Sequence, residues 1–383
     1  MYNFDKEAYF TDAKLTYDTR GEIERVADEV SKQGFKNIFF ISSGGSLAVM
    51  QPIQYLLRSK SAIPTYCEIA SEVILTDNKQ LTKDSIVITS SKSGTTSETV
   101  EAIEFCNKKG IRVIAFCGKP DTPVDQLATY SIIGKAKDAV EFEYIQHYLL
   151  AFRLLFNNGE FDAYNRLADQ LEKLPENLVA VKEQFEPTAA RIAETYYNSG
   201  IQYWIGGGSL APEIYLHAMC ILEEMQWIRT KSIKSAEFFH GTLEVIEKDT
   251  PVFLVKGVDE TRPIDNRVER LIKKLSDHAE VIDVADYSCP DIDEEFMDII
   301  ATSIVTTILD ERLAVHYERV TGHDLTTRRY YRQFAYGSDS LLNLYQKAES
   351  LAYYPIKGSN AIPMLSYGVP ASLFIYSLLQ KFP

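Results

Sequence analysis

Short apolar runs alternate with segments of helical periodicity along the first third of the chain. Residues 45–58 and 96–109 show the helical spacing most clearly, and each follows closely after an apolar run. An alternation of strands and helices predicts right-handed βαβ units that build a parallel sheet. The predicted strands of this sheet are residues 37–42, 64–67, 85–90, 112–117 and 130–134.

The second half of the chain repeats this plan. The string Gln-Tyr-Trp-Ile-Gly-Gly-Gly-Ser-Leu at residues 202–210 echoes Asn-Ile-Phe-Phe-Ile-Ser-Ser-Gly-Gly-Ser-Leu at residues 37–47. Further strands are predicted at residues 251–256 and 280–284. We therefore predict an α/β protein that carries a duplicated, doubly wound domain with parallel sheets. The predicted boundaries are 1–160 for the first domain, 161–198 for a helical connection, 199–340 for the second domain and 341–383 for a C-terminal extension.

Two segments lie outside the repeated plan. Residues 141–198 have a mostly helical pattern, in which Pro175 and Pro187 are expected to break the helices. The tail at residues 341–383 is apolar, but proline and glycine interrupt it. We expect this tail to pack on the body or between subunits, because it is too short and broken for a membrane helix.

A loop of hydroxyl side chains around one glycine, residues 90–96, separates an apolar run from a helical segment. The first N–H groups of a helix have no partner within the helix, and the positive end of its dipole points the same way. Serine and threonine hydroxyls add further donors. This loop is therefore a candidate phosphate-binding site.

Composition limits the partners. The formal net charge of −14 argues against nucleic acid and anionic membranes, which both need a basic surface. The five cysteines have neither paired nor metal-like spacing, so reduced thiols in a cytoplasmic protein are expected. The N-terminus lacks the pattern of a signal peptide. An anionic substrate would therefore be bound by local donors and not by the overall field.

Glu224 and His240 are the candidate acid–base groups. Glu224 lies late in a helix predicted from Ser209, beside an apolar stripe and on the side that carries Glu213 and His217. It is either a solvated boundary residue or a partly desolvated base. His240 follows sixteen residues later, before a glycine, and is either a structural histidine or a general acid–base group.

The cluster Arg-Arg-Tyr-Tyr at residues 328–331 combines positive charge with aromatic rings. Packing at the surface explains it most simply, and contact with a phosphate or a partner chain is the alternative. The string G-x-x-x-x-G-K-[ST] and the string G-x-G-x-x-G are both missing from the sequence, which lowers the case for ATP or a dinucleotide.

Three separated motifs together resemble the sugar isomerase (SIS) family. They are Ser-Gly-Gly-Ser at residues 43–46, the S-x-S-G-x-T string at residues 91–96, and Glu224 followed by His240 and Gly241. The strings at residues 237–241 and 328–331 are closer to the 6-phosphofructosamine deglycases within that family. The resemblance implies two flavodoxin-like SIS domains, and it covers roughly residues 20–340.

The resemblance also implies roles for single residues. Glu224 would move a proton between C1 and C2 of the sugar, and His240, supplied by the partner subunit of a homodimer, would open the sugar ring. A 6-phosphorylated sugar–amino acid conjugate would yield a hexose 6-phosphate and a free amino acid, without a metal or an organic cofactor. The residues expected to bind the substrate, mainly through its phosphate, are Gly45, Ser46, Ser91, Lys92, Ser93 and Thr96.

Two other functions use the same motifs. An aldose–ketose phosphosugar isomerase or an amino-sugar-phosphate deaminase would employ the same Glu224–His240 pair. A phosphosugar-sensing protein would only bind the ligand, but a sensor has no need of both groups, and the first 30 residues offer no DNA-binding module.

Overall fold

The computed structural model describes residues 1–134, 136, 140–331, 333 and 340–345. In the first half, all neighbouring strands pair in parallel, which confirms the sheet that the apolar runs predict. The strands are β1 (Asn37–Ser42), β2 (Thr65–Ile69), β3 (Ser85–Ser91), β4 (Arg112–Cys117) and β5 (Tyr130–Ile133). Their order across the sheet is β2-β1-β3-β4-β5.

The second half forms a separate parallel sheet. Its strands are β6 (Gln202–Gly206), β7 (Thr230–Lys234), β8 (Val252–Lys256) and β9 (Ala279–Asp283), in the order β7-β6-β8-β9. The sequence did not predict β7, because Thr-Lys-Ser-Ile-Lys contains no apolar run and only Ile233 is buried. As an edge strand, β7 pairs on one side and needs little apolar surface.

Helices occupy most of the remaining chain, including residues 141–198 as predicted. They are α1 (Lys6–Tyr17), α2 (Arg20–Gln33), α3 (Gly44–Lys60), α4 (Ala70–Thr76), α5 (Ser97–Lys108), α6 (Pro123–Leu127), α7 (Val140–Asn157), α8 (Tyr164–Leu171), α9 (Leu174–Tyr196), α10 (Ala211–Tyr215), α11 (Glu224–Gln226), α12 (Arg262–Leu275), α13 (Met297–Ile308) and α14 (Ala314–Thr321). Two π-helical segments, Leu216–Glu223 and Leu309–Leu313, join α10 to α11 and α13 to α14.

Side chains of β1 alternate between two apolar cores. Ile38 and Phe40 enter the core that α2, α3 and α7 complete, whereas Phe39 and Ile41 enter the core formed with α4 and α5. Burial on both faces explains why the strands of a parallel sheet appear in the sequence as continuous apolar runs.

One apolar core connects the two halves of the chain. It contains residues from the first sheet and from the second, where the rings of Trp204 and Phe253 stack with centroids 4.1 Å apart. The two sheets therefore belong to one packed body, and groups from both halves are held in fixed relative positions.

Pro187 was expected to break a helix, and this expectation was wrong. The residue lies inside α9, with Phe185 and Ala189 buried on either side of it. A proline costs a helix one hydrogen bond, and here apolar burial along the same helix keeps the segment helical.

Of the predicted C-terminal extension, only residues 341–345 lie within the described part of the chain. They are helical and pack on α5, where Glu101 Oε2 accepts a hydrogen bond from Leu342 N at 2.8 Å and Tyr345 contacts Phe105 edge-on. The expectation for the rest of the tail falls outside the described residues. Within the described ranges, no helix has the length and apolar character needed to cross a membrane.

Candidate functional site

The carboxyl ends of β1 and β3 form the candidate binding edge. These strands are neighbours, but the chain leaves β1 toward β2 on one side and leaves β3 toward β4 on the other. Such a switch point in the strand order opens a crevice where parallel α/β sheets bind ligands. Ser42 Oγ donates to the Ser90 carbonyl at 2.8 Å and ties the two strand ends together.

The predicted phosphate-binding residues meet at this edge. Ser46 lies in the first turn of α3, directly after β1, while residues 91–96 connect β3 to α5. The structure therefore brings the two serine-containing turns to the same switch point, although they are far apart in the sequence.

Backbone geometry fixes the loop after β3. Gly94 has a φ of +67°, and its N–H donates to Ser91 Oγ at 3.1 Å. A Cβ atom on Gly94 would lie only 2.1 Å from Thr122 Oγ1. The glycine is therefore required both by its backbone conformation and by the close approach of Thr122.

The hydroxyl groups of the loop lie at the start of α5. Ser93 Oγ accepts hydrogen bonds from Thr95 N at 3.3 Å and from Thr95 Oγ1 at 3.2 Å. Thr96 occupies the capping position of α5, but its side chain makes no capping hydrogen bond. The first N–H groups of this helix thus lie beside hydroxyls in an arrangement that suits an anion.

Lys92 is exposed at the same loop, but its charge is partly directed elsewhere. Its side chain lines a small cavity together with Glu143. Burial raises the pKa of Glu143, and the positive charge of Lys92 opposes that rise. Lys92 therefore belongs to the loop, but its positive charge also acts on Glu143.

Glu224 approaches the switch point from the second half of the chain. A Cβ atom built on Gly45 would lie 3.7 Å from Cys220 Sγ, so the turn that carries Ser46 packs against the π-helical segment that ends beside Glu224. The Glu224 side chain is 36% exposed. Insertions of π-helix often accompany functional positions, because they change which residues a helix presents to one side.

Arg328 forms an ion pair with this glutamate. Its Nε donates to Glu224 Oε1 at 2.8 Å, and the Arg328 side chain is only 17% exposed. Sequence reasoning assigned the cluster at residues 328–331 to surface packing first. Nothing in the spacing of residues indicated the contact between Arg328 and Glu224, because 104 residues separate them.

Glu213 and His217, predicted on the side of the helix that carries Glu224, are instead completely buried. Glu213 Oε2 accepts a hydrogen bond from Tyr144 Oη at 2.5 Å, and His217 Nδ1 lies 2.8 Å from Asp310 Oδ1. Burial raises the pKa of Glu213 well above its usual range and raises that of Asp310 to about 7. It lowers the pKa of His217 to about 3, so this imidazole is neutral and forms part of the core.

Glu224 and His240 are connected to opposite ends of strand β7. Glu223, the neighbour of Glu224, accepts a hydrogen bond at 3.2 Å from the N–H of Thr230, the first residue of β7. His240 is exposed and ends the short helical turn Phe238–His240, which begins four residues after Lys234, the last residue of β7. A strand of five residues spans about 13 Å between its end Cα atoms, so the chain crosses the second sheet between Glu224 and the turn that carries His240.

The glycine turn after β6 corresponds to the turn after β1 but is already occupied. Gly44 and Gly208 have similar φ angles of +56° and +53°. A Cβ on Gly44 would meet no described atom within 4 Å, whereas one on Gly208 would lie 2.0 Å from Asp259 Oδ2. The carboxylate of Asp259 fills the turn after β6, so the two similar sequence segments form one filled turn and, after β1, one open turn.

Comparison with known proteins agrees with this fold. The family profile described as the SIS domain matches residues 33–157. The chain is 31% identical over 325 residues to the fructosamine deglycase of Bacillus subtilis, and the match covers 83% of this chain and 98% of that protein. It is 25% identical over 266 residues to the fructoselysine 6-phosphate deglycase of Escherichia coli, covering 70% of this chain and 78% of that protein.

A solved structure from Bacillus subtilis, of a protein assigned to the phosphosugar isomerases, has a TM-score of 0.80 at 29% identity. It covers 84% of this chain and 99% of that one. The chain therefore belongs to the SIS-domain family. Within that family, it is similar to the fructosamine and fructoselysine 6-phosphate deglycases.

Proposed function

We propose that this protein is a deglycase that cleaves a 6-phosphorylated sugar–amino acid conjugate into a hexose 6-phosphate and a free amino acid. The observation that carries the proposal is the contact of Cys220 with Gly45, which brings the helix ending at Glu224 against the Ser46 turn. The similarity to deglycases over most of both chains supports the same reaction.

The 6-phosphate is held at the switch point of the first sheet. Ser46, Ser91, Ser93 and Thr96 supply hydroxyl groups, and the first N–H groups of α5 add donors. Gly45 lets the backbone approach the substrate, and Lys92 adds positive charge near the loop. Because the bound phosphate is attached to C6, its position fixes where the reacting carbons C1 and C2 lie in the site.

Glu224 then acts as the base. In a ketosamine, the amino acid nitrogen is bonded to C1 and the carbonyl is at C2. Glu224 removes a proton from C1 to give a 1,2-enaminol and returns it to C2, which leaves an imine at C1. Water adds to this imine, and the C–N bond breaks to give the aldehyde of the hexose 6-phosphate and the amine. One carboxylate can serve both carbons because they are adjacent.

His240 opens the sugar ring by moving a proton at the ring oxygen, and it comes from the partner subunit of a homodimer. The connection of Glu224 and His240 to opposite ends of strand β7 is consistent with this arrangement. The five free cysteines are consistent with a cytoplasmic enzyme.

The test is to incubate the purified protein with 6-phosphorylated Amadori compounds of several amino acids. We expect hexose 6-phosphate and free amino acid to appear in equal amounts. An isomerase would instead exchange the C1 or C2 proton with deuterated water and release no amine, and a sensor would bind phosphosugar without either reaction. Proton exchange without amine release would contradict the proposal.

A further inference from the structure

Arg328 is held in a fixed position beside Glu224. While its Nε bonds the glutamate, its Nη1 donates to the carbonyl of Leu325 at 2.6 Å and to that of Thr327 at 3.2 Å. Two carbonyl contacts on one side of the guanidinium group orient its plane. Less side-chain entropy is therefore lost when this group binds an anion.

The chain segment that carries Arg328 is fastened to the end of the Glu224 helix. Gln226 Nε2 donates to the carbonyl of His323 at 2.8 Å, and the His323 ring lies 4.1 Å from that of Trp227. Arg329 also packs on Trp227, with its guanidinium carbon 4.0 Å from the centroid of that ring. The position of Arg328 relative to Glu224 is thus set by several contacts.

An ion pair alone gives little reason for this construction. Partly exposed ion pairs contribute roughly 0–1 kcal/mol to stability. The fixed position of Arg328 gains a function if a second anion binds to its guanidinium group beside Glu224.

We propose that Arg328 binds the carboxylate of the amino acid part of the substrate and thereby selects conjugates that are linked through the α-amino group. This inference rests on the deglycase reaction proposed above. Arginine suits the role because its guanidinium group carries five N–H donors, so it can bond a second carboxylate beside Glu224.

Covalent geometry supports the reach. In an α-linked conjugate, C1 is followed by the nitrogen, the α-carbon and the carboxyl carbon, which places the carboxylate about 4 Å from C1. Glu224 must contact C1, and Arg328 lies one hydrogen bond beyond Glu224. In a conjugate linked through the ε-amino group of lysine, the carboxylate lies roughly 9 Å from C1 and extends past Arg328.

The experiment compares two nearly isosteric substrates, the 6-phosphorylated Amadori compounds of glycine and of glycinamide. We expect the wild-type kcat/KM to be about 10- to 100-fold higher for the glycine compound, the size expected for a hydrogen-bonded charge pair. Arg328→Gln should reduce this ratio to near one, and Arg328→Lys should restore part of it. Arg25→Gln, which breaks an exposed ion pair with Glu29 on α2, is the matched control and should keep the wild-type ratio.

Binding to the Glu224→Gln variant, measured by calorimetry, separates this inference from the deglycase proposal. The glycine compound should bind more tightly than the glycinamide compound even where no turnover occurs. Equal kcat/KM for the two compounds in the wild type, an unchanged ratio in Arg328→Gln, or equal binding to Glu224→Gln would each overturn the role of Arg328. Release of no amine from either compound, together with selective binding, would overturn the deglycase reaction and retain the carboxylate site.

Discussion

The backbone N–H of Ser209 donates to Asp259 Oδ2 at 3.1 Å, and this bond closes the turn after β6. The same aspartate accepts from Thr261 N at 2.8 Å through its other oxygen. At the corresponding turn after β1, Gly44 faces open space among the described atoms. A carboxylate of the protein therefore occupies in the second half the kind of position that we assign to the substrate phosphate in the first.

Replacing Asp259 with alanine should expose this closed turn. The Ser209 and Thr261 donors lose their acceptor, so we expect the free energy of unfolding to fall by about 1–2 kcal/mol. Inorganic phosphate should restore part of that loss more strongly in Asp259→Ala than in the wild type, measured by thermal unfolding. The exposed Asp286→Ala is the matched control. A phosphate response equal to that of the wild type would show that the turn does not bind anions when opened.

The Glu224→Gln and His240→Ala variants should each lose turnover and keep phosphosugar binding, because each lacks one proton-transfer group while the loop at residues 91–96 is intact. Mixing the two inactive proteins under conditions of subunit exchange tests the shared site. A mixed dimer has one site with both native groups, so random exchange should restore about a quarter of the wild-type activity.

Each inactive protein exchanged with itself is the control for the mixing experiment. Activity that stays at the background level in the mixture, with mixed dimers detected by mass, would place both groups in one chain. Near-normal turnover in either single variant would remove that residue from the mechanism.

Ser93→Ala removes one hydroxyl from the loop at the start of α5. Because the phosphate contact is made equally before and during the reaction, we expect KM to rise several-fold, up to about tenfold, with a smaller change in kcat. Steady-state kinetics with a phosphorylated substrate measure this split. Thr11→Ala on α1, whose exposed hydroxyl bonds within its own helix, should leave both constants unchanged, and an unchanged KM in Ser93→Ala would exclude this serine from the phosphate site.

The buried carboxyl of Asp310 should make stability depend on pH. Burial raises its pKa to about 7 from an ordinary value near 4, so the folded protein retains a proton that the unfolded chain has lost between these values. The contribution of Asp310 to the free energy of unfolding should therefore fall as pH rises from about 4 to about 7, with a slope of up to about 1.4 kcal/mol per pH unit, whereas the neutral His217 contributes a slope of the opposite sign.

The Asp310→Asn variant should differ from the wild type by this contribution, because the amide does not titrate in this range while the buried neighbours Glu213 and His217 titrate in both proteins. Denaturant unfolding at several pH values measures it, and the exposed Asp249→Asn serves as the control. An equal slope in the wild type and in Asp310→Asn would show that other groups govern the pH dependence.

Most strands of the two sheets could be predicted from the sequence, because buried parallel strands are continuous apolar runs. The edge strand β7 could not, since only Ile233 among its five residues is buried. The loop around Gly94 could also be predicted, because a run of hydroxyl residues between a strand and a helix is recognisable within a short segment. Fold class and the phosphate loop are thus properties of short sequence segments.

Relationships between distant residues were less accessible. Helical spacing placed Glu213 and His217 with Glu224, but the π-helical segment Leu216–Glu223 changes the phase of the helix between them. The filling of the second glycine turn depends on Asp259, and the pairing of Glu224 depends on Arg328. The spacing of apolar residues does not predict contacts of this kind, because they depend on tertiary packing within the second half of the chain.

The separation of Glu224 and His240 along β7 has a consequence for how the activity would appear in a cell. If the partner subunit supplies His240, as proposed, a newly synthesised chain would fold and bind phosphosugar but would gain its ring-opening group only when it meets a second copy. Specific activity should then fall on dilution to concentrations at which dimers dissociate. Assembly would act as the final step of maturation, and a lone subunit would hold its ligand without releasing a reactive imine.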